Sequence, residues 1–343
     1  MRILIRAANW VGDAVMSLPA LRAVRTRFPE AEIAVLARPW VADLYAREPF
    51  VNRIIPYTPR AGARDLAAKW SAGRVLRAER FDLAILVPNS FESAMVAWLA
   101  GIPRRIGYNR DGRGLLLTDA IAPPRRGEIP RHESFYYLEL LRRAGMLERL
   151  PDEVVIRLEG MEAARAAGRQ RFEREQLPAR AVIGVSPGAA YGTAKRWLPE
   201  RFVEAAARVA SARQGSVAVF GSGDETALCE EVTRGLSAAG IEARNFAGRT
   251  RLAEFIEMTA ACEVFLTNDS GAMHIASAAG VPTVAVFGAT DHEATGPTGA
   301  LARIIREPVD CSPCLLRECP IDHRCMTRVP ADRVADTALD LLK

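Results

Sequence analysis

Short apolar runs recur along this chain, each ending in a polar or glycine-bearing loop and giving way to a helix. That alternation most narrows the folds open to it. The first half carries Ile3-Leu4-Ile5, Ile33-Ala34-Val35-Leu36, Arg53-Ile54-Ile55 and Leu83-Ala84-Ile85-Leu86-Val87. After the first run, Val15, Leu18, Leu21 and Val24 recur at helical spacing. The second half carries Val182-Ile183-Gly184-Val185, Val217-Ala218-Val219-Phe220, Glu263-Val264-Phe265-Leu266-Thr267 and Thr283-Val284-Ala285-Val286-Phe287. Continuous apolar strands separated by helices predict parallel sheets covered on both faces, an α/β doubly wound architecture. At 343 residues the chain is long enough for two such domains. Turn-like Leu150-Pro151-Asp152, a charged helix from Met161 to Glu175, and Leu177-Pro178 mark the junction between them.

Hydrophobic residues at 49% and charged residues at 25% exclude a disordered chain. No apolar run reaches the roughly 18 residues of a membrane span. Asp13 interrupts the apolar start, and no small-residue cleavage site follows it, so a signal peptide is not expected and a cytoplasmic protein is. The net charge of +5 suits an anionic partner without choosing among phosphate, a lipid head group and nucleic acid. Only three of the 46 basic residues are lysines, Lys69, Lys195 and Lys343. A lysine kept in so arginine-biased a chain marks a place where a compact ammonium differs from a planar guanidinium.

In doubly wound sheets ligands sit beyond the carboxyl ends of the strands, so chemistry belongs in those loops. The first loop ends in Gly12-Asp13. Asp13 either caps its helix or aims a carboxylate at a ligand as a general base. The second, Ser186-Pro187-Gly188-Ala189-Ala190-Tyr191-Gly192-Thr193-Ala194-Lys195, offers accessible amides, a hydroxyl and a cation. It reads either as a phosphate site or as a solvated surface loop. The third, Gly221-Ser222-Gly223-Asp224-Glu225, is half of a dinucleotide fingerprint, with Thr226 where the third glycine would stand. Its acids bind a ribose diol or cap the helix. In the fourth, Asp269, Ser270 and Gly271 form a strand-to-helix turn with free amides, and His274 lies just inside the helix.

Two further features stand apart. Cys311, Cys314, Cys319 and Cys325 fall within fifteen positions, as a structural zinc site or as reduced thiols in a packed loop. Arg104, Arg105, Arg110, Arg113, Arg125, Arg126 and Arg131 outnumber Asp111, Asp119 and Glu128. They form either a solvated face or a patch for a phosphorylated acceptor or membrane surface.

The segments Asn9-Trp10-Val11-Gly12-Asp13-Ala14-Val15-Met16-Ser17-Leu18-Pro19, Lys195-Arg196-Trp197, Asp269-Ser270-Gly271-Ala272-Met273-His274 and Phe287-Gly288-Ala289-Thr290-Asp291 together resemble the bacterial lipopolysaccharide heptosyltransferases of glycosyltransferase family 9. The start and the cysteine segment look more like the heptosyltransferase II branch. The resemblance implies a GT-B fold, two Rossmann-like domains facing a central cleft. The expected divisions are an acceptor-binding domain over 1–170, a nucleotide-sugar domain over 171–328, and a helix over 329–343 returning to the first domain. It implies inverting transfer of L-glycero-D-manno-heptose from ADP-heptose to heptosyl-Kdo2-lipid A, with no catalytic metal or cofactor and no nucleic acid, in peripheral contact with the membrane surface. Asp13 would be the base, and Lys195 would stabilise the departing ADP. Gly12, Thr193, Asp224, Glu225, Asp269, Ser270, Gly271 and His274 would contact the donor; Asn9, Trp10, Arg104 and Arg105 the acceptor. The family's paired threonines before the lysine are replaced here by Ala190-Tyr191-Gly192-Thr193. Another nucleotide-sugar transferase or epimerase shares the expected fold, and a zinc-bearing nucleic-acid module is the reading from a different class.

Overall fold

The computed structural model describes residues 1–58, 63–178 and 180–343. Two compact units divide the chain, Met1–Val154 and Val155–Lys343. The first is built on six parallel strands: β1 (Arg2–Arg6), β2 (Glu32–Ala37), β3 (Arg53–Pro56), β4 (Leu83–Leu86), β5 (Arg104–Tyr108) and β6 (Asp119–Ile121). They lie in the order β3-β2-β1-β4-β5-β6. The second has β7 (Val182–Ser186), β8 (Ser216–Val219), β9 (Ala243–Asn245), β10 (Val264–Asn268), β11 (Thr283–Phe287) and β12 (Ala302–Arg306). Read from its other edge, the order β9-β8-β7-β10-β11-β12 repeats the first sheet's winding.

Strand periodicity assigns the two faces of each sheet. In the first unit, Leu4, Ala34, Leu36, Ala84 and Leu86 meet Leu76, Ala94 and Ala97. On the opposite face, Ile5, Ile85 and Val87 meet Leu21 and Val24 of the helix Val11–Arg27 and Leu140 and Leu141 of the helix Glu133–Arg143. In the second, Val185, Val219, Leu266 and Val286 pack against Phe202 and Val209. Val182, Ala218 and Phe265 pack on the other side against Phe172 and Met258.

Two expectations about domain limits are corrected. The final helix, Ala331–Asp340, belongs to the second unit. Ala331, Val334, Ala335 and Ala338 form an apolar stripe at helical spacing, and it is buried in the second unit's own core beside Phe202 and Val209. The junction lies at 154/155, not 170/171, because the charged helix Met161–Arg174 belongs to the second unit. Its narrow buried face, Ala164, Gly168 and Phe172, docks on the helix Leu252–Ala260, and Arg171 Nε reaches Glu257 Oε2 at 2.6 Å. The approach is closest at Gly168, where a Cβ would stand 2.0 Å from the Glu257 carbonyl oxygen.

Gly168→Ala should therefore push this helix off its neighbour and destabilise the second unit by about 1–3 kcal/mol. Urea denaturation monitored in that unit tests this; an unchanged midpoint would contradict the close approach.

Candidate functional site

In the second unit the strand order reverses between β7 and β10, so their following loops diverge and leave a crevice at the carboxyl edge. Asn268, the last residue of β10, ties the two loops together. Its fully buried amide accepts from Trp197 N at 2.9 Å and donates to the Pro187 carbonyl at 2.7 Å. Within this frame Lys195 Nζ meets Asp269 Oδ2 at 2.6 Å, with both side chains largely buried. Thr290 Oγ1, from the loop after β11, donates to the same oxygen at 2.5 Å. Three strand-end loops thus converge on one carboxylate.

Ser270 is the N-cap of the helix Gly271–Ala278, and its side chain makes no capping bond. The first amides of that helix lack intrahelical partners and face the loop end. Together with Lys195 they are equipped to hold an anion. Thr193 begins the short 3₁₀ turn Thr193–Lys195 and is exposed. His274 is brought to the same helix but is buried.

The third loop separates its two acids. Glu225 Oε2 accepts from Ser222 N at 2.9 Å and Ser222 Oγ at 3.0 Å, completing a capping box. Gly188 lies so close that a Cβ would stand 2.1 Å from Glu225 Oε1, so this carboxyl also fixes the loop after β7. Asp224 is exposed on the same turn.

Residues 311–325 strap across the loop after β7. Ala194 N donates to the Arg317 carbonyl at 2.9 Å, and Tyr191 OH to the Leu315 carbonyl at 2.9 Å. His323 Nε2 bonds the Ala194 carbonyl at 3.0 Å, and Ser312 Oγ donates to Gly288 O at 2.6 Å. The four cysteines of the strap line a cavity of about 70 Å³ together with Ala194 and Gly288. Among the described residues no three His, Cys, Asp or Glu side chains are arranged to hold a metal ion. The thiols sit at different depths, Cys325 buried and Cys311 exposed. Burial, with the neighbouring thiols, pushes Cys325 up to about 11, so it stays a neutral thiol at pH 7.

In the first unit the reversal lies between β1 and β4, beside the loop that precedes Asp13. The helix starts at Val11, so Gly12 and Asp13 lie in its first turn, half-buried, and Trp10 is the N-cap. Asp13 is therefore not the cap residue. Trp10 is exposed. Asn9 faces inward: its Oδ1 accepts from Arg6 Nη2 at 2.8 Å and Arg38 Nε at 3.2 Å. Its carbonyl accepts from Trp40 Nε1 at 2.9 Å.

Sequence reasoning missed Glu133, at the start of a helix that packs on the Asp13 helix. Burial first, and the Asp13 charge second, raise its carboxyl above the ordinary range, while Arg110 opposes this. Thr290 was also missed as a ligand of Asp269; its place just past β11 was the available signal.

Three arginines of the expected patch are placed apart from the Asp13 loop or buried. Arg104 and Arg105 open β5, whose amino end lies at the edge opposite the Asp13 loop. Arg104 pairs with Asp119 at 3.3 Å, and Arg105 Nε donates to the Leu116 carbonyl at 2.7 Å. Their expected grouping with Asn9 and Trp10 is thereby corrected. Arg113 is buried, donating to the Tyr108 carbonyl at 2.9 Å and Ser93 Oγ at 2.8 Å.

Residues 69–324 match the sequence profile of glycosyltransferase family 9 (heptosyltransferase). Lipopolysaccharide heptosyltransferase 2 of Escherichia coli K12 is 33% identical over 311 residues, spanning 89% of this chain and 88% of its own length. The Salmonella typhimurium protein of the same name is 34% identical over 311 residues, with the same coverage of both chains. The solved structure of E. coli ADP-heptose LPS heptosyltransferase II superposes with a TM-score of 0.82 at 31% identity, covering 100% of this chain and 98% of that one. The two doubly wound units are accordingly those of a GT-B fold.

Two outcomes follow from this geometry. Thr290→Val leaves a buried carboxylate oxygen short of a donor and should cost about 1–3 kcal/mol in thermal unfolding. Glu133 binds its proton more tightly folded than unfolded, so stability falls as pH rises from the ordinary glutamate range through the raised folded value. Glu133→Gln should then raise the melting temperature at pH 7 and lose that advantage in acid below both values; equal shifts at both pH values would contradict it.

Proposed function

Because this chain belongs to glycosyltransferase family 9, we propose that it transfers L-glycero-D-manno-heptose from ADP-heptose to the heptosyl-Kdo2-lipid A inner core of lipopolysaccharide, inverting the anomeric centre. The observation that carries this reading is the Lys195–Asp269–Thr290 cluster beside free helix amides, in a chain one third identical to a heptosyltransferase II. That cluster suits a nucleotide diphosphate, and the second unit is the donor domain.

The acceptor domain is the first unit, with Asp13 as general base. Asp13 takes the proton from an acceptor heptose hydroxyl as its oxygen attacks the anomeric carbon of the donor. The bond from that carbon to the diphosphate breaks, and ADP leaves with the electron pair. Lys195 and the amides at Ser270 and Gly271 stabilise the charge that develops on it. Asp269 holds the ammonium in place through its 2.6 Å contact and stands where the donor sugar is bound. Asp224, exposed on its turn, is the carboxylate open to a ribose diol, while Glu225 shapes the loop around it. The chemistry requires no cofactor. No helix among the described residues is long and apolar enough to cross a membrane. With a lipid acceptor, the protein works from the cytoplasm in peripheral contact with the inner membrane.

Incubation with ADP-heptose and heptosyl-Kdo2-lipid A, read by mass spectrometry, should show one added heptose; no product with this pair, and product with another nucleotide sugar, would redirect the reading. Asp13→Ala should lower transfer by roughly 10²–10⁴-fold, the usual worth of a general base, with ADP affinity retained. Lys195→Ala should weaken ADP binding, and unchanged affinity by calorimetry would remove its phosphate role.

A further inference from the structure

Lys195 alone is a poor attractor for a diphosphate, because its charge is already matched. Its ammonium lies 2.6 Å from Asp269, so the pair is close to neutral when seen from the crevice. Helix amides add only partial charge. A nucleoside diphosphate carries two to three negative charges at neutral pH and calls for a further full cation nearby.

The neighbouring arginines do not offer one freely. Arg196 faces Glu225 at 3.7 Å, and Arg324 is held by Asp322 at 2.9 Å. Arg317 differs: among the described residues its guanidinium has no carboxylate partner. It lies over the ring of Tyr191, 5.3 Å from the centroid. Lys195 Nζ lies 5.1 Å from the centre of that same ring. The two cations are therefore at most roughly 10 Å apart, a gap that two phosphate groups can bridge.

This placement is built, not incidental. The Arg317 carbonyl receives Ala194 N at 2.9 Å, one residue before Lys195. Gly192 comes so close to that carbonyl oxygen that a Cβ would stand 2.2 Å away. The hydroxyl of Tyr191 is anchored on the Leu315 carbonyl, which fixes the ring between strap and loop. Arg317 is thus locked to the lysine loop through its backbone, and both cations lie within 5.3 Å of the centre of one ring.

We propose that Arg317 is a second phosphate-binding cation of the nucleotide site, contacting the donor diphosphate alongside Lys195; this rests on the donor-domain reading above. The strap then serves to deliver that guanidinium, and its planar fork supplies the two-point contact to phosphate oxygens that an ammonium lacks. The ring of Tyr191 positions both cations.

Calorimetry with ADP and with adenosine tests it on the wild type, Arg317→Ala and Arg317→Lys. Arg317→Ala should weaken ADP about 10-fold or more while leaving adenosine unchanged. It should also flatten the dependence of ADP affinity on salt, and Arg317→Lys should recover part of the loss. A wild type that binds ADP while Arg317→Ala binds it within twofold overturns this inference alone. An equal loss of adenosine affinity overturns it too, because it reports a disturbed pocket and not a missing phosphate contact. A wild type indifferent to ADP overturns the donor reading and this inference with it.

Discussion

The ion pair between Lys195 and Asp269 depends on where the second sheet reverses its strand order. Two neighbouring parallel strands there send their chains away in opposite directions, so the backbone cannot fill the space beyond them. Side chains fill it instead. Asn268 ties the diverging loops, Trp197 anchors one of them to the Val329 carbonyl at 3.2 Å, and Asp269 gathers a lysine and a threonine from two further segments. Such a buried pair contributes little net stability, since desolvation offsets most of the attraction. What it supplies is position: the ammonium is held at one point, oriented before any ligand arrives.

The arginines of this chain divide by the same logic. Some are buried and bonded to main-chain carbonyls, as Arg113 is, and their burial lowers them to about 10 without removing the proton at neutral pH. Others, such as Arg104, sit at the rim in exposed pairs of small energetic worth. A third kind is fixed by its backbone while its guanidinium meets no acid among the described residues, as at Arg317. Counting basic residues along the sequence merges these kinds, because burial and partner are properties of the fold.

Much of the architecture was legible. Every apolar run named from the sequence forms a strand, and the loops picked out for chemistry lie at the carboxyl ends of β1, β7, β8 and β10. The four strands that escaped notice are β5, β6, β9 and β12, whose sequences RRIGY, DAI, ARN and ARIIR mix charge with little continuous apolar character. β6, β9 and β12 are edge strands and β5 lies next to one, and each is only three to five residues long. Missing β5 had a cost: Arg104 and Arg105, unassigned to any strand, were grouped with a loop from which the length of the sheet divides them. Glu133 lay beyond reach for a related reason, since only helix packing brings it near Asp13. The last helix was misplaced although its apolar stripe was plain, because a stripe states that a face is buried and not against which core. The cysteine spacing was suggestive in one dimension, but depth below the surface, which spacing does not encode, separates the thiols.

Beneath the loop after β1, Arg6 and Arg38 share the Asn9 side-chain oxygen and stack within 5.4 Å and 5.3 Å of the Tyr57 ring, and Glu92 at 3.2 Å from Arg38 is the acid that answers them. Both guanidiniums are buried, so mobile ions have little access to them. Counterions screen exposed charges over about 8 Å at physiological ionic strength, but they act weakly on a source enclosed by protein. The rim arginines on the far edge lose their pull as the surrounding electrolyte thickens; the buried guanidiniums beneath the Asp13 loop are screened far less.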